Sequence, residues 1–277
     1  MAEATPPGTE TEVGTITSTD GTEIAFERMG DGPPIVLVHG ATVDRRIWHR
    51  TGVGPALADH CTVYAIDRRG HGESDDDTEF ELEREVDDVV TMVESIDEPV
   101  IVLGHSAGGT RALEAALRTD NVRGLVLYEP AIPVGEDAFD VEEEVAEMVD
   151  LLEDGENEQA YLLFLDEIAQ LTPEELEALR SDPIWTEYAS TFHETLLPRL
   201  EAFAEYDANL ERFEALTTPT LLVAGSESGW LKAVTDAVGD VLPNSTLVTF
   251  DGHGHAMIFT APERFTDEVV AFVEDSR

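Results

Sequence analysis

The chain has 277 residues, 42% of them hydrophobic, which is long enough to bury the core of an α/β domain. Acidic residues outnumber lysine and arginine by 60 to 16, and the formal net charge of −44 repels nucleic acids and anionic membranes, so neither is expected as a partner. Cys61 is the single cysteine, which excludes a disulfide within the chain.

The first 15 residues are polar and lack the basic start and apolar core of a signal peptide, so we expect a flexible tail over residues 1–15. No apolar run approaches the roughly 18 residues of a membrane span, and we expect a cytoplasmic protein. The acidic composition resembles that of proteins from salt-loving organisms. At molar salt the Debye length falls to about 3 Å, which screens the repulsion between like charges.

Seven segments have the apolar pattern of β-strands, and several are continuously apolar, which is typical of strands covered on both faces. They are residues 23–27, 35–38, 62–66, 100–103, 122–127, 219–225 and 246–250. Helical spacing follows several of them, at residues 81–96, after residue 106 and from residue 262 onward. This alternation predicts an α/β fold with a mostly parallel central sheet and helices on both faces.

Between residues 134 and 215 the pattern contains helices and no strand. We therefore divide the chain into a core of residues 16–133 and 216–277 and a helical insertion of residues 134–215. Aromatic residues of the insertion are candidates for lining a substrate pocket, although aromatic side chains at helical spacing more often form a helical core. These candidates are Phe164, Trp185, Tyr188 and Phe192.

A short apolar strand runs directly into Gly104-His105-Ser106-Ala107-Gly108, and a helical pattern follows at once. This is a G-x-S-x-G motif between a strand and a helix. The two glycines lack a Cβ, so the strand and helix can pack closely around a turn that strains the backbone of Ser106. The serine hydroxyl would stand exposed at a helix N-terminus, where free N–H groups favour negative charge. The pattern predicts a nucleophilic serine.

A serine on a tight turn between a strand and a helix is called a nucleophile elbow, and with this strand, elbow and helix the chain resembles the α/β-hydrolase family. The resemblance implies a serine hydrolase of the esterase or lactonase kind, with the helical insertion as a lid, a small-molecule substrate, and no metal or organic cofactor. It also implies an oxyanion hole formed by the backbone N–H groups of Ala41 and Ala107. His39 and His71 lie in neighbouring loops, and we expect both to have structural roles.

A serine nucleophile needs a basic partner, and two histidines compete for that role. His255 lies seven residues before Pro262, the spacing at which members of the family place their catalytic histidine, whereas His253 lies in the preceding glycine turn. We therefore favour His255. The two histidines with Asp251 would also suit a metal site, but no further ligand is tied to them by spacing.

The acid that holds the histidine is where the sequence departs from the family pattern. Most members carry aspartate three residues after the glycine that ends the penultimate strand, but here Ser228 stands at that point. Two replacements are available, Glu227 in the same loop and Glu129 at the end of the strand after the nucleophile. A group of haloalkane dehalogenases draws its acid from that earlier strand end, and the resemblance favours Glu129.

These residues predict hydrolysis of a small carboxylic ester, thioester or lactone, with Ser106, His255 and Glu129 as the catalytic triad. Dehalogenases and epoxide hydrolases of this fold use aspartate as the nucleophile, so Ser106 argues against both activities. Two alternatives stay open. One is a cofactor-free perhydrolase, a haloperoxidase-like enzyme or a C–C bond hydrolase on the same scaffold; the other is a non-catalytic ligand-binding homologue.

Overall fold

A computed structural model of the chain describes residues 11–76, 80–134 and 141–276. The described residues form a single eight-stranded sheet. The strands are β1 (Glu12–Thr17), β2 (Glu23–Met29), β3 (Pro34–Val38), β4 (Thr62–Ile66), β5 (Val100–His105), β6 (Val122–Tyr128), β7 (Thr220–Gly225) and β8 (Ser245–Phe250). Their order in the sheet is β1-β2-β4-β3-β5-β6-β7-β8; β2 pairs antiparallel with β1 and β4, and every other pair is parallel. The predicted mostly parallel sheet is confirmed.

Helices cover both faces of the sheet. They are α1 (Arg46–Arg50), α2 (Val53–Ala58), α3 (Leu82–Glu94), α4 (Ala107–Ala115), α5 (Glu142–Glu153), α6 (Asn157–Leu163), α7 (Pro173–Ser181), α8 (Trp185–Ala204), α9 (Gly229–Val241) and α10 (Pro262–Asp275). A π-helical turn, Phe164–Ile168, continues α6, and 3₁₀ turns span Leu210–Phe213 and Met257–Phe259.

Alternate residues of the central strands point to opposite faces, which creates two hydrophobic cores. In β3, Ile35 and Leu37 pack with α1, α2, α10 and the helical insertion, while Val36 and Val38 pack with α3, α4 and α9. Each of these four strand residues is fully buried. This arrangement is why the central strands have continuously apolar sequences.

The predicted flexible tail over residues 1–15 was too long. Residues 12–15 belong to β1, whose backbone pairs with β2 in register from Glu12 opposite Arg28 to Thr17 opposite Glu23. The apolar pattern did not mark this strand because β1 lies at the edge of the sheet, where Val13 is 62% exposed. Residues 1–10 lie outside the described part of the chain.

Between β6 and β7 the described residues contain helices α5 to α8, a π-helical turn and a 3₁₀ turn, and no strand. Residues 135–140, at the start of this segment, lie outside the described part. In the part of the chain that the structure describes, none of the helices combines the length and apolar character that a membrane span requires.

Candidate active site

Ser106 lies between β5 and α4 with a backbone φ of 54° and ψ of −120°, a conformation that non-glycine residues rarely adopt. Close packing imposes this turn. A Cβ on Gly104 would come within 2.3 Å of the carbonyl oxygen of Gly108, and a Cβ on Gly108 within 2.3 Å of the Val38 carbonyl oxygen. The Ser106 N–H donates to Tyr128 O at 2.9 Å, which ties the turn to the end of β6.

The structure brings Glu129 and His255 into direct contact: Glu129 Oε2 lies 2.5 Å from His255 Nδ1. Glu129 directly follows β6, and its other carboxylate oxygen accepts a hydrogen bond from the Gly225 N–H at 2.7 Å. Its backbone φ of 46° lies in the left-handed region, so the turn before Pro130 is also strained. The carboxyl is completely buried and His255 is 5% exposed.

Burial changes the pKa of both partners in the direction that disfavours their charged forms. It lowers the pKa of His255 and raises the pKa of Glu129, because the charged form of each group would lose its hydration when buried. The 2.5 Å contact opposes both pKa shifts, since a carboxylate stabilises the protonated ring. The pair can therefore hold a proton on His255 Nδ1 and leave Nε2 free to accept one.

Ser106 and His255 line the same cavity. Within the described residues, no hydrogen bond joins the Ser106 hydroxyl to the ring of His255. Catalytic hydrogen bonds are often long or poorly aligned in unliganded enzymes and shorten when substrate binds. The shared cavity therefore makes His255 the candidate base for Ser106.

The competing candidates have other partners. Glu227 is exposed, and its Oε1 accepts from the neighbouring Ser226 hydroxyl at 3.0 Å. His253 contacts Thr260 Oγ1 through Nδ1 at 2.8 Å. Ser228, at the position where the family pattern has aspartate, is completely buried, and its Oγ has no hydrogen-bond partner among the described residues. Across the three described ranges, no group of histidine, cysteine and acidic residues has the arrangement of a metal site.

The side chains of Arg68 and His39 fix the loop that precedes Ala41, whose N–H is the first predicted oxyanion donor. Gly40 O accepts hydrogen bonds from Arg68 Nη1 and from His39 Nδ1, each at 2.8 Å. The Gly40 carbonyl and the Ala41 N–H belong to one planar peptide group, so holding the carbonyl also fixes the direction of the N–H. Neither Ala41 N nor Ala107 N donates to an acceptor within the described residues, and both residues line the cavity with Ser106.

His39 and His71 have the structural contacts expected of them. His39 Nε2 accepts from the Arg68 N–H at 3.0 Å, while its Nδ1 donates to Gly40 O. His71 Nδ1 donates to Val43 O at 3.0 Å. Burial lowers the pKa of both rings, which keeps them neutral.

The backbone of His255 is held by two residues that sequence reasoning did not select. Tyr128 OH donates to the His255 carbonyl oxygen at 2.5 Å, and His105 Nε2 donates to the same oxygen at 3.1 Å. The rings of His105 and Tyr128 stack with centroids 4.2 Å apart. His105 occupies the variable position of the G-x-S-x-G motif, where the motif itself carries no information about its role.

A buried carboxylate from the helical insertion also contacts the His255 loop. Glu175 Oε1 accepts from the Gly254 N–H at 2.8 Å, and Oε2 accepts from the Thr172 N–H at 3.0 Å. The second bond belongs to a capping box at the start of α7. The sequence signal of Thr172 and Glu175, T-x-x-E, marks a helix start and does not indicate the contact with Gly254.

The cavity around Ser106 and His255 is lined mainly by apolar side chains, many from the helical insertion. Of the four aromatic candidates, Phe164 lines the cavity, whereas Trp185, Tyr188 and Phe192 are buried in the core of the insertion. Tyr161, which sequence reasoning did not select, also lines the cavity and lies 4.9 Å from Phe192 between ring centroids.

Known proteins similar to this chain are hydrolases and related enzymes. The lipase LipV of Mycobacterium tuberculosis is 35% identical over 117 residues, which is 40% of this chain and 42% of the lipase's own length. A non-heme chloroperoxidase of Streptomyces lividans is 26% identical over 95% of this chain and 100% of its own. The crystal structure of the esterase RhEst1 from Rhodococcus sp. ECU1013 superposes with a TM-score of 0.78 and 25% identity, covering 96% of this chain and 99% of the esterase.

The family comparison covers most of the chain. Residues 35–268 match the model of the alpha/beta hydrolase family, a range that begins in β3 and ends in α10. Together with the sheet order and the strand-elbow-helix at Ser106, this match establishes that the chain belongs to the alpha/beta hydrolase family.

Proposed function

We propose that the protein is a serine hydrolase that cleaves small carboxylic esters, thioesters or lactones through an acyl-enzyme. The observation that carries the proposal is the 2.5 Å contact between Glu129 and His255 at the wall of the cavity that also contains Ser106. A carboxylate on one ring nitrogen orients the imidazole and stabilises its protonated form, which is what a serine nucleophile requires of its base. An esterase of the same fold, aligned over nearly the whole chain, supports the ester as substrate.

In the proposed reaction, Ser106 Oγ attacks the carbonyl carbon of the ester while His255 Nε2 takes the hydroxyl proton. The carbonyl oxygen becomes an oxyanion that accepts hydrogen bonds from the N–H groups of Ala41 and Ala107. His255 then gives its proton to the leaving alcohol, thiol or lactone hydroxyl as the acyl-enzyme forms. Water repeats the sequence, releases the carboxylic acid and restores the Ser106 hydroxyl.

The direct test is the Ser106→Ala variant, assayed with a series of esters and lactones of different acyl length in molar KCl. Removing the nucleophile should lower kcat by at least about a thousandfold, because binding and oxyanion stabilisation alone remain. The exposed Ser190→Ala on α8 is the matched control and should keep full activity. Unchanged turnover in Ser106→Ala, with the fold intact by circular dichroism, would refute the proposal.

One similar protein favours a second candidate activity. The chloroperoxidase of Streptomyces lividans aligns with 95% of this chain, which keeps cofactor-free perhydrolysis open. In that reaction hydrogen peroxide, rather than water, would attack the acyl-enzyme. Comparing peracid formation with plain ester cleavage separates the two. A fluorophosphonate that labels Ser106 would support either enzyme, whereas absence of labelling in high salt would favour a non-catalytic binding protein.

A further inference from the structure

The cavity that contains Ser106 has an unusual distribution of charge. Three arginines contribute to its wall, Arg68, Arg111 and Arg199, and no aspartate or glutamate does among the described residues. The whole chain has only 16 lysines and arginines against 60 acidic residues. A wall with three basic groups and no acidic group therefore runs against the composition of the protein, in a cavity that is otherwise mainly apolar.

The three guanidinium groups converge on one buried carboxylate. Glu85, from α3, is 1% exposed and contacts Arg68 Nη2 at 2.8 Å, Arg111 Nη2 at 2.6 Å and Arg199 Nε at 3.3 Å. The three arginine side chains are 2%, 4% and 7% exposed, respectively. We refer to Arg68, Arg111 and Arg199 as the arginine wall. One carboxylate cannot neutralise three guanidinium groups.

Little else in the described structure compensates this charge. Asp76 Oδ1 lies 4.0 Å from Arg199 Nη2, but that side chain is 54% exposed at the outer edge of the cluster. The other contacts of the wall are to backbone carbonyls, such as Thr195 O and Arg69 O on Arg199, and to the ring of Phe80, whose centroid lies 4.8 Å from the guanidinium carbon of Arg199. The three buried guanidinium groups share the buried carboxylate of Glu85, and buried charge that is only partly compensated is costly, so the cavity favours an anion.

Arg68 shows this imbalance most directly. Burial and the nearby positive charges of Arg111 and Arg199 lower the pKa of its guanidinium to about 10. Its Nε is buried and has no hydrogen-bond partner among the described residues. An anion in the cavity would reduce the repulsion among the three guanidinium groups.

The arginine wall lies directly beside the proposed reaction centre. Arg68 Nη1 donates to Gly40 O at 2.8 Å, and Arg111 Nη1 donates to Ala107 O at 3.3 Å. Gly40 O belongs to the loop before Ala41, and Ala107 O belongs to the first residue of α4; the N–H groups of Ala41 and Ala107 are the proposed oxyanion donors. A substrate whose ester carbonyl lies at Ser106 would therefore occupy a cavity lined by the arginine wall as well as by apolar side chains.

We propose that the arginine wall recognises a carboxylate of the substrate, so that the preferred substrates are apolar esters carrying a second, ionised carboxyl group. This inference rests on the proposed hydrolase function and names the substrate class of the same site. A guanidinium group pairs with a carboxylate through charge-assisted hydrogen bonds, which are stronger than hydrogen bonds to a neutral group of the same shape.

The test compares monomethyl adipate with methyl adipamate, in which the free carboxylate is replaced by a neutral amide of almost the same size. Both are assayed by acid release in molar KCl, where screening removes most of the long-range repulsion from the acidic surface. The wild-type kcat/KM should be about tenfold to hundredfold higher for the acid. Equal kcat/KM for the two esters would overturn the proposal that the arginine wall recognises a carboxylate.

Variants identify the residue responsible. Arg199→Gln, on α8, should lower the acid-to-amide ratio of kcat/KM by about tenfold, and Arg199→Lys, which keeps the charge, should lower it less. Arg118→Gln removes an exposed arginine paired with Asp87 and should leave the ratio unchanged. If Arg199→Gln lowers stability or both rates without changing the ratio, the cluster is structural and the proposal is wrong.

A binding measurement separates this inference from the proposed reaction. Calorimetric titration of Ser106→Ala with monomethyl adipate and methyl adipamate measures the binding affinity of each compound in the absence of turnover. The acid should bind at least about tenfold more tightly than the amide. If the acid binds preferentially but the wild type does not hydrolyse it, the arginine wall recognises a carboxylate and the proposed hydrolase function is wrong. If both esters are hydrolysed and bind equally, or if neither probe binds, the proposal that the arginine wall recognises a carboxylate is wrong.

Discussion

The carboxylate of Glu175 accepts a hydrogen bond from the backbone N–H of Gly254 at 2.8 Å, so helix α7 is bound to the loop that carries His255. Glu175 is completely buried, and a Cβ on Gly254 would come within 2.6 Å of its Oε2. The helical insertion is therefore attached to the candidate base as well as lining the cavity. Glu175 therefore links α7 to the backbone of the residue directly before His255.

Glu175→Ala should lower kcat by about tenfold to hundredfold with a smaller change in KM, because the loop around His255 loses an acceptor and the ring becomes less well placed. Glu174→Ala, an exposed neighbour on the same helix, is the control and should behave as wild type. Ester hydrolysis under saturating and limiting substrate measures the two constants. An equal loss of activity in both variants would show that the contact with Gly254 is not responsible.

Glu129→Gln should lower kcat by a factor on the order of 10³ to 10⁴, because a neutral amide neither stabilises the protonated imidazole nor enforces its tautomer. Glu227→Gln should leave kcat near the wild-type value, since that carboxylate is exposed and contacts Ser226. Steady-state ester hydrolysis in molar KCl decides between the two acids. The assignment fails if Glu227→Gln is the more damaging substitution.

The pH dependence of kcat/KM should report His255, which acts as a base only when its ring is neutral. Activity is therefore lost as the pH falls through the pKa of His255, which burial lowers and the contact with Glu129 raises. Glu129→Gln removes the negative charge, so the acid limb should move to lower pH even as the maximum rate falls. His105, whose ring centroid is 4.5 Å from that of His255, stays neutral because burial lowers its pKa.

This pH prediction is checked by measuring kcat/KM from pH 4 upward for both proteins, in the range where circular dichroism shows each to be folded. An acid limb that moves to higher pH in Glu129→Gln would contradict it, because the carboxylate would then not be stabilising the protonated ring.

Thermal stability should rise with KCl concentration. A formal charge of −44 makes the folded state repel itself in dilute buffer, and at molar salt the Debye length of about 3 Å screens that repulsion. Calorimetric or circular-dichroism melting from 0.1 to 3 M KCl measures the midpoint, with sucrose as an uncharged control. A midpoint independent of KCl would show that the surface charge does not limit stability.

Most of the fold could be predicted because its central strands are covered on both faces and have continuously apolar sequences. The prediction of β4 at residues 62–66 agrees with the structure at both ends. Edge strand β1 was missed because its side chains are largely exposed, and α1 and α2 were missed because helices of five and six residues are too short to show a period.

The sequence by itself determined the strand, elbow and helix around Ser106, since local glycine spacing and apolar runs specify that turn without help from the rest of the chain. It also limited the acid to two glutamates. Only the tertiary structure brought Glu129 to His255, 126 positions away, because strand order and the register of β6 against β7 decide which strand ends meet. The arginine wall and the contact from Glu175 to Gly254 depend on the same long-range packing, which no local pattern encodes.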